Sequence, residues 1–243
     1  RGGNQTVIEK TEKELVLEVR RPAAPEGAKY PAAAGAAAGQ FREPNAYIQS
    51  DDPEIRRLAR EIAGRETGAF RAALAMERWV AEHMTFDLGI VFAPATEVFK
   101  NRRGTCVGYA TLLATLARAA GIPSRVAMGY VYALGMFGGH AWAEVLAGKE
   151  WVPVDAAIVN EGVADAGRLT VVVSSLAAGA GELGVGPAQQ IFGQVDIRIL
   201  EFETGGKTTA VPAEAKPYVV EGNRYRNPWL GVEVEKPADY RFV

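Results

Sequence analysis

The chain has 243 residues, 48% of them hydrophobic and 23% charged, and its net charge is −2 with acids and bases interspersed. That is ordinary globular composition, long enough to bury a core without staples. The lack of a basic stripe speaks against nucleic acid as a partner, no apolar run is long enough to span a bilayer, and a single cysteine, Cys106, excludes an internal disulfide.

Residues 6–22, TVIEKTEKELVLEVRRP, read as a half-buried strand from the alternation of Leu15, Leu17 and Val19. Residues 31–40, PAAAGAAAGQ, are low in complexity and read as an exposed linker, with alanine-rich helix as the alternative. In SDDPEIRRLAREIAG, Ser50 or Asp51 is the expected helix cap and Pro53 suits the first turn. Ile55, Leu58, Ala59 and Ile62 form its apolar stripe, and Gly64 ends it. Residues 69–83 read as a second amphipathic helix that buries Phe70, Leu74 and Val80. ATEVFKNRRG reads as a short helix with a basic end that stops at Gly104.

The helix after Gly104 is the most regular. Cys106, Ala110, Leu113 and Ala117 share one face, Leu112 and Leu116 lie beside it, and Thr111, Thr115 and Arg118 are expected on the other side; Gly121 and Pro123 stop it. Strand-like segments follow: SRVAMGYVYAL, HAWAEVLAG and EWVPVDA. A glycine-rich loop over 135–139 is expected between the first two, and a hairpin turn at Gly148 and Lys149 between the next two. RLTVVVSSL and VDIRILEFE read as two more strands around a glycine-rich insert at 176–193. The fold class is α+β: N-terminal helices, then a largely antiparallel sheet, with the cysteine helix packed on it. The domain division expected is an N-terminal strand and linker over 1–45, a core over 46–204, and a tail over 205–243 resembling the start of a further β-rich domain. Both ends look cut, since the sequence starts RGGNQ without methionine and stops within a strand pattern. The expectation is a fragment of a longer protein, for which an exported or periplasmic location is favoured over a cytoplasmic one.

Chemistry concentrates on three residues. Cys106 opens a helix, where unpaired N–H groups and the dipole favour a thiolate. His140 follows two glycines at the expected start of a strand, and Asp155 closes the next strand. A hairpin around Gly148 brings these two nearly opposite each other, so the carboxylate can hold one imidazole nitrogen. A free cysteine titrates near ~8.5, and this setting is expected to move it below neutrality. Cysteine, histidine and aspartate so ordered suit nucleophilic acyl chemistry, with the Cys106 N–H as one oxyanion donor and the second donor unidentified. A zinc site from the same three residues has none of the paired spacings of structural zinc, so no metal and no cofactor are expected. His83 reads as a helix-end surface histidine. Trp142 and Glu144 fall on the face of His140, the first as a cleft wall or a core residue, the second paired near the surface. Tyr109 is a candidate to line the cleft or to pack under the helix, and Phe137 to sit on a flap or a plain loop.

GTCVGYATLLATLARAAGIPSRVAMGYVY, GGHAWAEV and EWVPVDA together resemble the core of the transglutaminase-like superfamily of papain-like folds. The family pattern has a cysteine turning into a helix, then R-x-x-G-I-P-(A/S)-R, an H-x-W-x-E-V strand and a W-x-P-(V/L)-D strand. The resemblance covers about residues 95–157, and it implies Cys106 as nucleophile, His140 as base and Asp155 as orienting acid. It extends as a helical lead-in upstream, similar to that of bacterial members, and fades after Asn160. The family includes crosslinking transglutaminases, deamidases, proteases, amidases and members without the triad, so membership does not select the reaction. The expected function is cysteine-dependent acyl transfer on a peptide or protein substrate, with hydrolysis favoured because water is always present. Glutamine transglutamination and a non-catalytic scaffold module of an exported protein are the alternatives.

Overall fold

A side-chain carboxylate starts the helical layer. Asp52 Oδ1 accepts the N–H groups of Glu54 and Ile55 at 2.9 and 3.0 Å, so Asp52 caps helix α1 (Pro53–Ala63), not Ser50 or Asp51. In this computed structural model, which describes residues 4–25, 27–30, 36–133, 135–160, 162–179, 195–212, 219–221, 224–227 and 232–235, α1 is followed by α2 (Ala69–His83) and α3 (Ala95–Asn101). α1 buries Ile55, Ala59 and Ala63; α2 buries Phe70, Met76 and Val80, with Leu74 half-buried. α3 ends before the expected glycine. Its cap is Arg102, a non-glycine residue at φ 54°, whose guanidinium lies 4.4 Å from the ring centroids of both Trp79 and Phe99. Stacking on two rings offsets the cost of the left-handed backbone.

Helix α4 (Cys106–Ala119) departs most from its sequence pattern. Every residue from Val107 to Arg118 is buried, including Thr111, Thr115 and Arg118, which the pattern assigned to an outer face. Helices α1, α2 and α3 all pack against α4, and its leucines share one core with Val126, Val145 and Val152 of the sheet. A helix covered on all sides has no solvent face. Two of its polar side chains are bonded internally: Thr115 Oγ1 donates to Thr111 O at 2.7 Å, and Arg118 donates to the carbonyls of Glu43, Ser124 and Ser175, whereas the Thr111 hydroxyl is buried without a partner among the described residues.

The sheet has strands β5 (Ser124–Ala133), β6 (Met136–Ala147), β7 (Glu150–Val154) and β8 (Arg168–Ser174) in the order β7-β6-β5-β8; β7 runs antiparallel to β6, and β8 to β5. Gly138 and Gly139 lie inside β6 and not in a loop, so His140 sits within the strand rather than at its start. The turn at Gly148 (φ 71°) and Lys149 forms as expected, with Ala147 opposite Glu150. Residues 6–22 form a hairpin and not one strand: β1 (Gln5–Lys10) pairs antiparallel with β2 (Leu15–Val19). The side-chain amide of Gln5 bonds both the carbonyl and the N–H of Thr170 on edge strand β8. Two residue pairs join β3 (Thr85–Phe86) in parallel to β4 (Arg103–Gly104). In the expected linker, Ala36–Phe41 is a 3-10 helix, while residues 31–35 lie outside the described residues.

The chain divides into two units, Arg1–Val131 with Gly139–Phe192, and Tyr132–Gly138 with Gly193–Val243. In the second, β9 (Glu201–Thr204) pairs with β10 (Lys207–Ala210), and β11 (Val219–Glu221), β12 (Arg224–Asn227) and β13 (Val232–Glu235) form an antiparallel three-stranded sheet. The strand expected over 195–203 begins only at Glu201. Most of the glycine-rich insert, 180–193, lies outside the described residues. Among the described residues, no helix is long and apolar enough to cross a membrane.

Candidate active site

Cys106 is the first residue of α4 and a half-buried free thiol. The residue before it, Thr105, has extended backbone and makes no side-chain cap. Its hydroxyl donates instead to Val91 O at 3.1 Å, and its N–H to Ile90 O at 3.3 Å. The first N–H groups of α4 thus receive no oxygen from the residue best placed to cap them. Close packing sets the turn: a Cβ on Gly104 would come within 3.4 Å of the Gly108 Cα, and one on Gly108 would meet Val98 and Met84. Small residues on both sides of the cysteine let the chain reverse tightly into the helix.

His140 and Asp155 meet across the β6–β7 hairpin. The register pairs Ala143 with Val154 and Glu144 with Pro153, which places Asp155, one step beyond the ladder, beside Trp142 and on the face of His140. His140 Nε2 lies 2.8 Å from Asp155 Oδ2, and both side chains are buried. The imidazole also hydrogen-bonds Cys106; with Nε2 taken by the carboxylate, Nδ1 is the nitrogen left for the sulfur. Burial opposes charge on this ring. The hydrogen bonds and charges of Asp155 and Cys106 together outweigh it and push the His140 pKa from 6.5 up to about 9. For Asp155, burial favours the neutral form, but the His140 and Arg168 partners win and hold the carboxyl below its ordinary value. The three residues singled out from the sequence therefore come together.

Two buried charged residues in this cluster were not singled out. Arg168 donates from Nε and Nη2 to Asp155 Oδ2, at 2.9 and 2.7 Å. Glu77 Oε1 accepts the backbone N–H of Asp155 at 2.6 Å. Burial pushes Glu77 up to about 7; the hydrogen bond from Asp155 works against that rise. Helical spacing could have flagged Glu77, which lies four residues after Ala73 on the buried face of α2. Nothing about Arg168 at the head of RLTVVVS separates it from a solvated arginine in sequence.

The other candidates fall elsewhere. Trp142 is 1% exposed and Tyr109 6% exposed, so both are core residues with almost no surface to offer a ligand. Glu144 is not near the surface; it is buried and its Oε2 accepts Arg125 Nε at 2.6 Å. Phe137 is half-buried and packs against Tyr132, with centroids 5.1 Å apart. His83 stacks on Trp79 at the exposed end of α2. Among the described residues, no group of three His, Cys, Asp or Glu side chains is arranged to hold a metal ion.

Residues 56–156 match the transglutaminase-like superfamily, a span that holds α2, α4 and all three clustered residues. Among solved structures, a candidate cysteine protease from Cytophaga hutchinsonii is 26% identical with a TM-score of 0.54, over 62% of this chain and 51% of that one. The periplasmic domain of TgpA from Pseudomonas aeruginosa is 28% identical with a TM-score of 0.35, over 43% of each chain. The chain spans about half the length of the first of these. No curated protein matches it. Over residues 56–156 the chain is thus similar to the transglutaminase-like superfamily.

Proposed function

We propose that the chain is a cysteine-dependent acyl-transfer enzyme that cleaves amide bonds of peptides or proteins through Cys106, His140 and Asp155, with water as the usual acceptor. The observation that carries the proposal is the buried His140 ring, bonded on one side to Asp155 at 2.8 Å and on the other to a cysteine at a helix N-terminus. The Cys106 sulfur, as thiolate, attacks the amide carbonyl carbon. The imidazolium gives its Nδ1 proton to the leaving amine, the C–N bond breaks, and a thioester remains. His140 then takes a proton from water, the hydroxide adds to the thioester carbonyl, and the C–S bond breaks to release the acid and regenerate the thiolate. Asp155 keeps Nε2 protonated and holds the ring plane throughout. The Cys106 N–H, at the open start of α4, is placed to donate to the oxyanion.

Water is favoured over an amine because it is always present at high concentration, whereas amine transfer needs a second subsite. The likeness to a candidate cysteine protease from Cytophaga hutchinsonii points the same way. The test incubates wild type and Cys106→Ala with a mixed peptide library, with and without a fluorescent primary amine, and follows products by mass spectrometry. Hydrolysis gives Cys106-dependent new acids and free amines. Amine incorporation in preference to hydrolysis would replace this reading with transglutamination, and no Cys106-dependent product of either kind would overturn it.

A further inference from the structure

The acid at the end of the proposed relay has an unusual set of partners. Asp155 Oδ2 accepts three N–H groups: His140 Nε2 at 2.8 Å, Arg168 Nε at 2.9 Å and Arg168 Nη2 at 2.7 Å. Its other oxygen, Oδ1, accepts the backbone N–H groups of Ala157 and Ile158, both at 3.1 Å. Five donors fix both oxygens, so the carboxylate cannot rotate away from the imidazole. Arg168 is itself fixed. It is 0% exposed, its Nη1 donates to Asp165 Oδ1 at 2.8 Å, and its Nη2 also donates to Ile158 O at 2.8 Å. A guanidinium keeps its charge at every working pH. The imidazolium must therefore form beside a carboxylate that already answers one buried cation through the same oxygen.

We infer that Arg168 is a positioning residue of this site: it locks Asp155 in the plane of His140 and shares its negative charge, so that the imidazolium stays acidic enough to surrender its proton to the leaving amine. The inference deepens the proposed function and rests on it. Without the arginine, all of the Asp155 charge would favour the imidazolium, and a base that holds its proton more tightly is a poorer acid in the next step. Among the described residues, the other charged groups that face this cluster are Cys106 from α4, Glu77 from α2, itself within reach of Arg78, and Asp165 ahead of β8. None of them is a second cation on the Asp155 carboxylate.

The chain has only two histidines, and His83 lies apart at the end of α2, so carbon-13 NMR of labelled histidine reads the His140 titration directly with His83 as internal reference. That readout does not require the protein to be an enzyme. Arg168→Gln keeps a donor of similar size and removes the charge. Its His140 midpoint is expected to rise by about one pH unit or more, as befits a charge lost within a few ångströms, while His83 stays in place. In an Asp155→Asn background, where no carboxylate charge is left to share, the same substitution should raise the midpoint by less than it does in the wild type. A folded Arg168→Gln protein with an unmoved or lowered His140 midpoint overturns the inference. If Arg168→Gln does not fold, Arg168→Lys decides: it keeps the charge and loses the fork, so the midpoint should stay put while kcat on an amide substrate falls about tenfold or more at unchanged KM. A lysine variant with wild-type kcat overturns the positioning role. Absence of turnover in the wild type, with the NMR shift present, refutes the proposed function and leaves the charge coupling standing.

Discussion

The most direct energetic consequence of the site lies in how stability depends on pH. His140 is buried, and its partners raise its pKa from 6.5 to about 9. A basic group whose folded-state pKa is raised stabilises the protein fully below its unfolded pKa, and that contribution is lost as pH climbs through the folded value. The rise corresponds to about 3 kcal/mol, at about 1.4 kcal/mol for each pH unit. The window runs from 6.5 to 9, where few other side chains titrate. Glu77 also binds its proton more tightly in the folded state, but its contribution is lost between 4.5 and about 7, so measurements from pH 7 upward leave it behind. Replacing His140 with glutamine removes the titration and keeps a polar side chain next to Asp155. Urea unfolding followed by tryptophan emission at pH 7.0, 8.0, 9.0 and 9.5, at fixed ionic strength, gives the slope for each protein. Wild type should lose about 2–3 kcal/mol more than His140→Gln across this range. Equal slopes for the two proteins would refute the reasoning, because the extra proton would then not reside on His140.

Two further substitutions test the frame that holds the site. Gly129 sits at a bulge between β5 and β8, where a Cβ would lie inside the van der Waals shell of the Leu169 carbonyl oxygen; Gly129→Ala should cost about 3 kcal/mol or more, read by chemical denaturation. Asp52→Ala removes the cap of α1 and should cost about 1 kcal/mol, a drop of about 2–4 °C in Tm by calorimetry, with the rate of Cys106 alkylation unchanged.

What the sequence revealed and what it hid follow from the range of the interactions involved. Gly148 and Lys149 define a two-residue turn, and that local signal sets the β6–β7 register which brings His140 to Asp155. Cys106 after Gly104 marks a tight entry to a helix, and the small neighbours that make it legible are also what packing requires. The outer face assigned to Thr111, Thr115 and Arg118 failed because three helices cover α4, and backbone carbonyls meet the buried Thr115 and Arg118. The strand break at Thr11 was hidden because the hairpin is closed by a side chain, with Thr11 Oγ1 accepting the N–H groups of Lys13 and Glu14, and not by a glycine turn. Arg168 was the largest omission. Its role depends on partners three to thirteen residues away in sequence, in loops with no periodic pattern to read.

The central claim is that the imidazole of His140 activates the sulfur of Cys106. Cys106 is the only cysteine, so the rate of alkylation by iodoacetamide belongs to that residue alone. Measured from pH 5 to 9, wild type should react at pH 6 well above the rate of a free thiol, and His140→Ala should fall to that free-thiol rate. Reaction at pH 6 no faster than a free thiol, with no change on replacing His140, would contradict the account.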